Sequence, residues 1–214
     1  MDIIIDNFAF LLQGAKLTLQ VSFFGVLAGL IIGSFMGLFR ISDNIILKTV
    51  SGVYVEVIRG TPLLVQIIFL YFGLYEIGIR LPALTAGVIA LSINSGAYIA
   101  EIVRAGIQSI DKGQMEAARS LGMSYIQAMR FIILPQAFRR IIPPLVNEFI
   151  ILIKDSSLLS VIGIVELTRV GQLVRAKTFN TFFILTAVAA MYFVMTFTLS
   201  KLLGYIERRW KIHD

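Results

Sequence analysis

The sequence predicts an all-α membrane protein of about five transmembrane helices, with one short cytoplasmic helix between the third and the fourth. Three observations carry this. Apolar residues make up 57% of the 214 positions and charged residues only 15%, where soluble domains carry about a quarter charged. The mean hydropathy is +0.86, and the apolar residues fall in long runs rather than on one face. The Lys and Arg residues cluster in alternate connections between those runs. No polar stretch is long enough for a separate soluble domain, so residues 1–214 form a single transmembrane domain.

In order, the expected spans cover about Leu17–Phe39, Thr49–Phe72, Ala83–Val103, Ile141–Ile162 and Phe182–Leu203. Each meets the length of about 20 residues that a bilayer core of about 30 Å requires. Arg40 and Lys48 follow the first span. Arg104, Lys112, Arg119, Arg130, Arg139 and Arg140 lie between the third and fourth, and Lys201, Arg208, Arg209 and Lys211 end the chain. The opposite connections hold Lys16, Arg80, Arg169, Arg175 and Lys177. The richer side belongs in the cytoplasm, which puts the N-terminus outside and the C-terminus inside.

Composition also excludes several functions. The net charge of +6 is explained by these loop cations, and no nucleic-acid partner is expected. With no cysteine and a single histidine, His213, in a polar tail, neither thiol catalysis nor a metal centre has a ligand set. The acidic start, Met1 to Asp6, lacks the basic flank of a cleaved signal peptide and reads as mature sequence. No phosphate-cradling G-x-x-x-x-G-K-[ST] segment occurs, so this chain is expected to bind no nucleotide. No residue is assigned a catalytic role.

The connection at about 105–138 stands apart. Over Gln114–Phe131, Met115, Ala118, Leu121, Met123, Ile126 and Met129 fall at helical spacing. Pro135 and Pro143-Pro144 are expected to break the chain before the fourth span gathers. Amphipathicity alone leaves two uses open: a membrane-surface anchor or a knob offered to a soluble partner. Within this loop stand Glu116-Ala117-Ala118, then Gly122, Ile132 and Leu134-Pro135. Small alanines admit a close-packed surface, and glycine permits a tight turn.

This pattern resembles the EAA motif of the permease subunits of bacterial ABC importers. The likeness extends to the polar amino acid branch (histidine, arginine and glutamine types) through Arg59–Gln66, Asn94–Arg104, Lys154–Ser160 and Val165–Gln172. It implies a multi-pass permease of the bacterial cytoplasmic membrane, with Glu116, Ala117, Ala118 and Gly122 forming an ATPase-coupling helix. It further implies two ABC ATPase subunits that use ATP and Mg, and a second permease subunit in a homo- or heterodimer. An external amino-acid-binding protein and an amino-acid substrate complete the assembly, embedded in membrane lipid. A channel or ion-coupled carrier is the alternative that would need no ATPase.

Polar residues at membrane depth are costly and therefore candidates for function. Glu56 and Arg59, three apart, are expected to pair as a structural ion pair, direct substrate contact being the alternative. Gly60-Thr61-Pro62 follows, where a broken helix would offer backbone groups to a ligand; a simple packing kink is the other reading. Asn94, Ser95 and Tyr98 offer donors and acceptors to an amino acid, or hydrogen bonds between helices. Asp155, Ser156, Ser157 and Glu166 are the remaining binding candidates, and their carboxylates lean towards a basic substrate unless Lys154 neutralises Asp155. Glu101 and Arg104 are expected to pair at the end of the third span.

Overall fold

The computed structural model describes residues 2–211, with side chains described from Ile3 to Tyr205. Arg208, Arg209, Lys211 and His213, read above as a polar tail, lie outside the described side chains. Ten α-helices follow one another: α1 (Asp2–Arg40), α2 (Ile45–Arg59), α3 (Leu63–Ile68), α4 (Leu74–Glu76), α5 (Ala83–Gln108), α6 (Lys112–Ser120), α7 (Tyr125–Ala128), α8 (Leu134–Asp155), α9 (Leu167–Thr178) and α10 (Thr181–Lys211). Wider π turns join α3 to α4 and α7 to α8, and a 3-10 segment, Ser156–Ile162, continues α8. The fold class is all-α, as the sequence predicts.

Length and apolarity single out three helices as spans: Ile3–Arg40, Ala83–Gln108 and Thr181–Tyr205. A fourth is the pair Ile45–Arg59 and Leu63–Glu76, bent by 102° at its break. The stretch expected to be the fourth of five spans is α8 with its 3-10 extension. Glu148, Lys154 and Asp155 interrupt its apolar run, which is why hydropathy alone passes it over. Pro143 and Pro144 sit inside α8 without ending it, contrary to expectation, and Pro135 occupies its first turn, where the missing N–H has no helical partner anyway.

The tightest packing joins α1 to α5. Gly25, Gly29, Gly33 and Gly37 recur every fourth residue and make one smooth stripe on α1, a spacing that lets helix backbones approach closely. A Cβ on Gly33 would stand 2.6 Å from Ile99 Cβ and 2.7 Å from the Gly96 carbonyl oxygen, and one on Gly37 would meet Ala100 O at 2.8 Å. Accordingly 67% of the apolar window of α5 is buried, against 11% for α10, so α5 is the centre of the bundle and α10 its periphery. Phe23, Phe24, Leu27, Ile31 and Phe35 point outward from α1, as a lipid-facing surface requires.

Three apolar clusters hold the remainder. Val21, Ile67, Leu91, Leu152 and Leu159 join α1, α3, α5 and α8. Leu11, Leu167, Val170 and Ile184 join α1, α9 and α10. Ile99, Val103, Ile107, Ile133 and Ile141 bind the lower half of α5 to the start of α8.

Replacing Gly33 with alanine forces an overpacked contact, typically costing about 1–3 kcal/mol. G33A is expected to lower the thermal unfolding midpoint in detergent, while G204A, whose added Cβ meets nothing within 4 Å inside a helix that prefers alanine to glycine, keeps or raises it. Equal midpoints for the two variants would contradict the stripe.

Candidate functional site: a cavity at a broken helix

The break follows from three consecutive residues. Pro62 has no N–H and adopts an extended backbone (φ −64°, ψ 135°) at the start of α3, so α2 cannot run on. The carbonyls stranded at the end of α2 are claimed locally. Gly60 N–H donates to Glu56 O at 2.8 Å, and the Thr61 hydroxyl donates to Val57 O at 2.9 Å. Gln66, one turn into α3, reaches back. Its Nε2 donates to Ile58 O at 2.8 Å and to Thr61 Oγ1 at 2.9 Å, while its Oε1 accepts from Asn94 Nδ2 at 3.1 Å. One side chain therefore fastens both halves of the broken helix to α5.

Beside the break lies a cavity of about 480 Å³, bounded by residues 60–62 and by Arg59, Asn94, Tyr98, Glu148 and Asp155. The expected Glu56–Arg59 pair is not formed. Among the described residues the ion pairs are Arg104–Glu101 and Arg40–Glu101, the latter at 3.7 Å. Arg59 instead lies over the Tyr98 ring, 5.2 Å from its centroid, a cation–π arrangement. Turning from Glu56 to Tyr98 leaves the guanidinium at the cavity wall. The Glu101–Arg104 pair expected at the end of the third span is present, Arg104 Nε standing 3.1 Å from both carboxylate oxygens.

The structure divides the other predicted residues. Asn94, Tyr98 and Asp155 come together at the cavity. Ser95 is fully buried, and its Oγ has no hydrogen-bond partner among the described residues. Ser156 is buried and donates to Ile153 O at 2.7 Å, a local helical bond, while Ser157 follows in the 3-10 turn. Glu166 is elsewhere. It is fully buried at the start of α9, where its carboxylate accepts from Thr168 N–H and Arg169 N–H, each at 2.8 Å, and from the Tyr192 hydroxyl at 2.8 Å. It caps a helix and ties α9 to α10. Buried, with three donors on its oxygens and no place in the cavity lining, it is a structural cap and not the substrate-binding residue the sequence suggests.

One residue at the cavity escaped the sequence reading. Glu148 is 5% exposed, lines the cavity together with Arg59, and stands two turns before Asp155 on the same face of α8. The available signal was a carboxylate in the middle of an expected span. The site thus sets two carboxylates and one guanidinium around a polar space, complementary to a zwitterion.

The loop between α5 and α8 is also built from local rules. The single helix expected over Gln114–Phe131 is in fact two, because α6 stops at Gly122 (φ +85°). Gly122 N–H donates to Arg119 O at 3.0 Å and Met123 N–H to Ala118 O at 3.2 Å, the double bond of a Schellman cap, which favours glycine at the left-handed position. Ser124 and Gln127 then form a capping box that starts α7. Ala118 is buried, whereas Glu116 and Ala117 face outward. Leu121 and Ile126 are 84% and 76% exposed.

A bundle broken at a charged cavity, with an apolar knob on one connection, defines a membrane transport component rather than an enzyme. Residues 25–212 match the family described as binding-protein-dependent transport system inner membrane component, and the chain belongs to that family. It is 48% identical over 204 residues to the glutamine transport system permease protein GlnP of Escherichia coli (strain K12), covering 94% of this chain and 93% of that protein. Its fold matches an amino acid ABC transporter crystallised with histidines at a TM-score of 0.93 and 48% identity, covering 96% of each chain. An inward-facing MetNI methionine ABC transporter shares the fold at a TM-score of 0.79 and 21% identity, covering 93% of this chain and 95% of that one.

Substituting Gln66 with alanine leaves the buried Asn94 amide unpaired, at a typical cost of about 1–3 kcal/mol, and leaves the Ile58 carbonyl only the Thr61 hydroxyl at 3.4 Å. Q66A is expected to lower the unfolding midpoint and to speed hydrogen exchange at residues 57–66; exchange as slow as in the parent chain would refute the latch.

Proposed function

We propose that this chain is the membrane-spanning subunit of an ATP-binding-cassette importer that carries a polar amino acid through the cavity beside the broken helix. The supporting observation is the cavity's charge arrangement. Arg59 suits an α-carboxylate, and Glu148 or Asp155 suits an α-ammonium group. The remaining carboxylate favours a side chain that donates hydrogen bonds, either an amide or a cation. That preference accommodates the glutamine named for the Escherichia coli relative as well as a basic amino acid, and it disfavours acidic ones. Asn94, engaged with Gln66, positions the wall more than it contacts the ligand.

In this reading the loop carrying Glu116, Ala117, Ala118 and Gly122 lies in the cytoplasm, with the N-terminus outside. Two ATPase subunits grip its exposed Leu121 and Ile126, hydrolyse ATP with Mg, and move the spans through it. A second permease subunit and an external binding protein complete the assembly. The cap at Gly122 supports this role, because it holds two apolar side chains in water at a fixed angle, an arrangement that has no use without a partner surface.

Two measurements test the proposal. Titrating the purified complex with glutamine, arginine, histidine and glutamate should rank glutamate weakest. In D155N, affinity should fall about tenfold for arginine and less for glutamine, and equal losses would remove Asp155 from selectivity. Placing leucine at Gly122 costs about 1–2 kcal/mol at a left-handed position and misaims the knob. G122L should therefore retain the unfolding midpoint of the spans while losing ATP-driven uptake in vesicles; undiminished uptake would count against the coupling role.

A further inference from the structure

A second cavity of about 440 Å³ adjoins the first on the side nearer α6 and α7, and it shares Arg59, Tyr98 and Glu148 as walls. Its own boundary is Glu101, Ala105 and Ser109 of α5 and Arg140 and Pro144 of α8. The two chambers lie along two helical stripes. On α5 the stripe is Asn94, Tyr98, Glu101 and Ala105, and on α8 it is Arg140, Pro144, Glu148, Ile151 and Asp155, both at spacings of three and four. Arg59 stacked over Tyr98 stands between the chambers.

The charges of the inner chamber differ in availability. Glu101 is held by Arg104 and Arg40, so it offers little to a ligand. Arg140 donates one N–H to Ser109 O at 2.5 Å, which leaves the remaining donors of its fork. Glu148 forms no ion pair within 4.0 Å. An anion acceptor and a cation acceptor therefore face the same small space, about 12 Å apart along α8 by residue count.

We propose that this inner chamber is a second binding site for a zwitterionic α-amino acid, and that Glu148 and Arg59 hand the ligand from the outer chamber to the inner one. This rests on the transport reading above. A zwitterion leaving the outer chamber unaided would shed both ionic partners inside a low-dielectric bundle, a severe penalty. Because Glu148 and Arg59 face both chambers, the ammonium keeps Glu148 throughout while the carboxylate passes from Arg59 to Arg140. Both sites draw on Glu148, and while it is committed to an inner ligand the outer chamber keeps only Asp155 for an ammonium group, so amino acid accumulated on the α6–α7 side weakens outer binding and competes with uptake.

The test uses the complete transporter in proteoliposomes, preloaded on the ATPase side with L-glutamine or, separately, L-arginine. ATP-driven uptake and ATP-free binding from the opposite face are then measured. Internal amino acid should inhibit uptake by the parent transporter. R140Q, which removes the inner anion acceptor, should raise the inhibitory concentration about tenfold while leaving opposite-face binding unchanged. A105W fills the inner chamber without altering charge: it should slow ATP-driven uptake, because the chamber lies on the ligand's path, and the uptake that remains should need about tenfold more internal amino acid to inhibit, which guards against a folding defect specific to Arg140. E148Q should weaken both readouts. Absence of inhibition in the parent, or inhibition unchanged in both R140Q and A105W, would overturn the second site. Unchanged opposite-face binding in both D155N and E148Q would instead overturn the outer chamber as the transport site, whatever the inner variants do.

Discussion

The close approach of α1 and α5 is the constraint on which the rest of the bundle depends. Four glycines at every fourth position remove the side chains that would hold the two backbones apart, and Leu91, Ser95, Ile99 and Val103 fill the space. Rotation is fixed along with distance. With those residues turned towards α1, Asn94, Tyr98 and Ala105 are turned away from it, Glu101 sits at the margin where it still meets Arg40 of α1, and both chambers open on that side. A helix at 100° per residue cannot move one set without moving the other. In lipid, where burial of apolar surface supplies no net attraction between helices, such van der Waals contact carries much of the association.

Against this rigid pair, polar groups inside the bundle fall into two kinds. Ser22, Thr18, Ser156 and Glu166 are buried and hydrogen-bonded, so they satisfy backbone groups or caps and line neither of the two chambers. Glu148 and Asp155 instead face open space, and the buried Ser95 hydroxyl has no hydrogen-bond partner among the described residues. Unpaired polar groups at depth are expensive, and here they gather where a helix is broken and a cavity begins. The break is made tolerable by Gln66, which returns hydrogen bonds to the carbonyls that Pro62 strands. Polarity used for building and polarity held ready for a ligand are thus separated in space, although a list of intramembrane polar residues does not separate them.

That separation explains what the sequence conveyed. Runs of apolar residues located α1, α5 and α10, because length and hydropathy act directly on insertion. Pro62 after Gly60 marked the break, though not its 102° angle, which depends on Gln66 and Asn94 meeting across 28 residues of chain. The pairing of Glu56 with Arg59 failed because spacing gives proximity without preference, and the Tyr98 ring from another helix offered the better partner. Glu166 looked like Asp155 in sequence, and only its capping bonds distinguish them. Glu148 was missed inside an expected span, and the glycine stripe was legible every fourth residue yet passed unread. At Gly122 the amphipathic spacing ran straight through a stop signal, and the left-handed cap overrode periodicity.

Motion follows from the same connections. The cluster Ile99, Val103, Ile107, Ile133 and Ile141 binds the end of α5 to the start of α8, and Arg140 clamps the Ser109 carbonyl beside it. Ala118 and Ala128 are buried while Leu121 and Ile126 are exposed, and α6 and α7 both pack on the π turn Met129–Ile133, which carries Ile133 of that cluster. A force on those two side chains is therefore delivered to α5 and α8 together rather than absorbed in the loop. Those are the helices whose stripes line both chambers, and Arg59 ends α2, which is fastened to α5 by the Tyr54 hydroxyl donating to Ile93 O at 2.6 Å but meets α3 across a break bridged by side-chain hydrogen bonds. Displacing α5 and α8 as one body therefore carries Tyr98, Glu148 and, through Tyr54, α2 with it, so the strain falls on the break between Arg59 and Pro62, at the edge of the outer chamber.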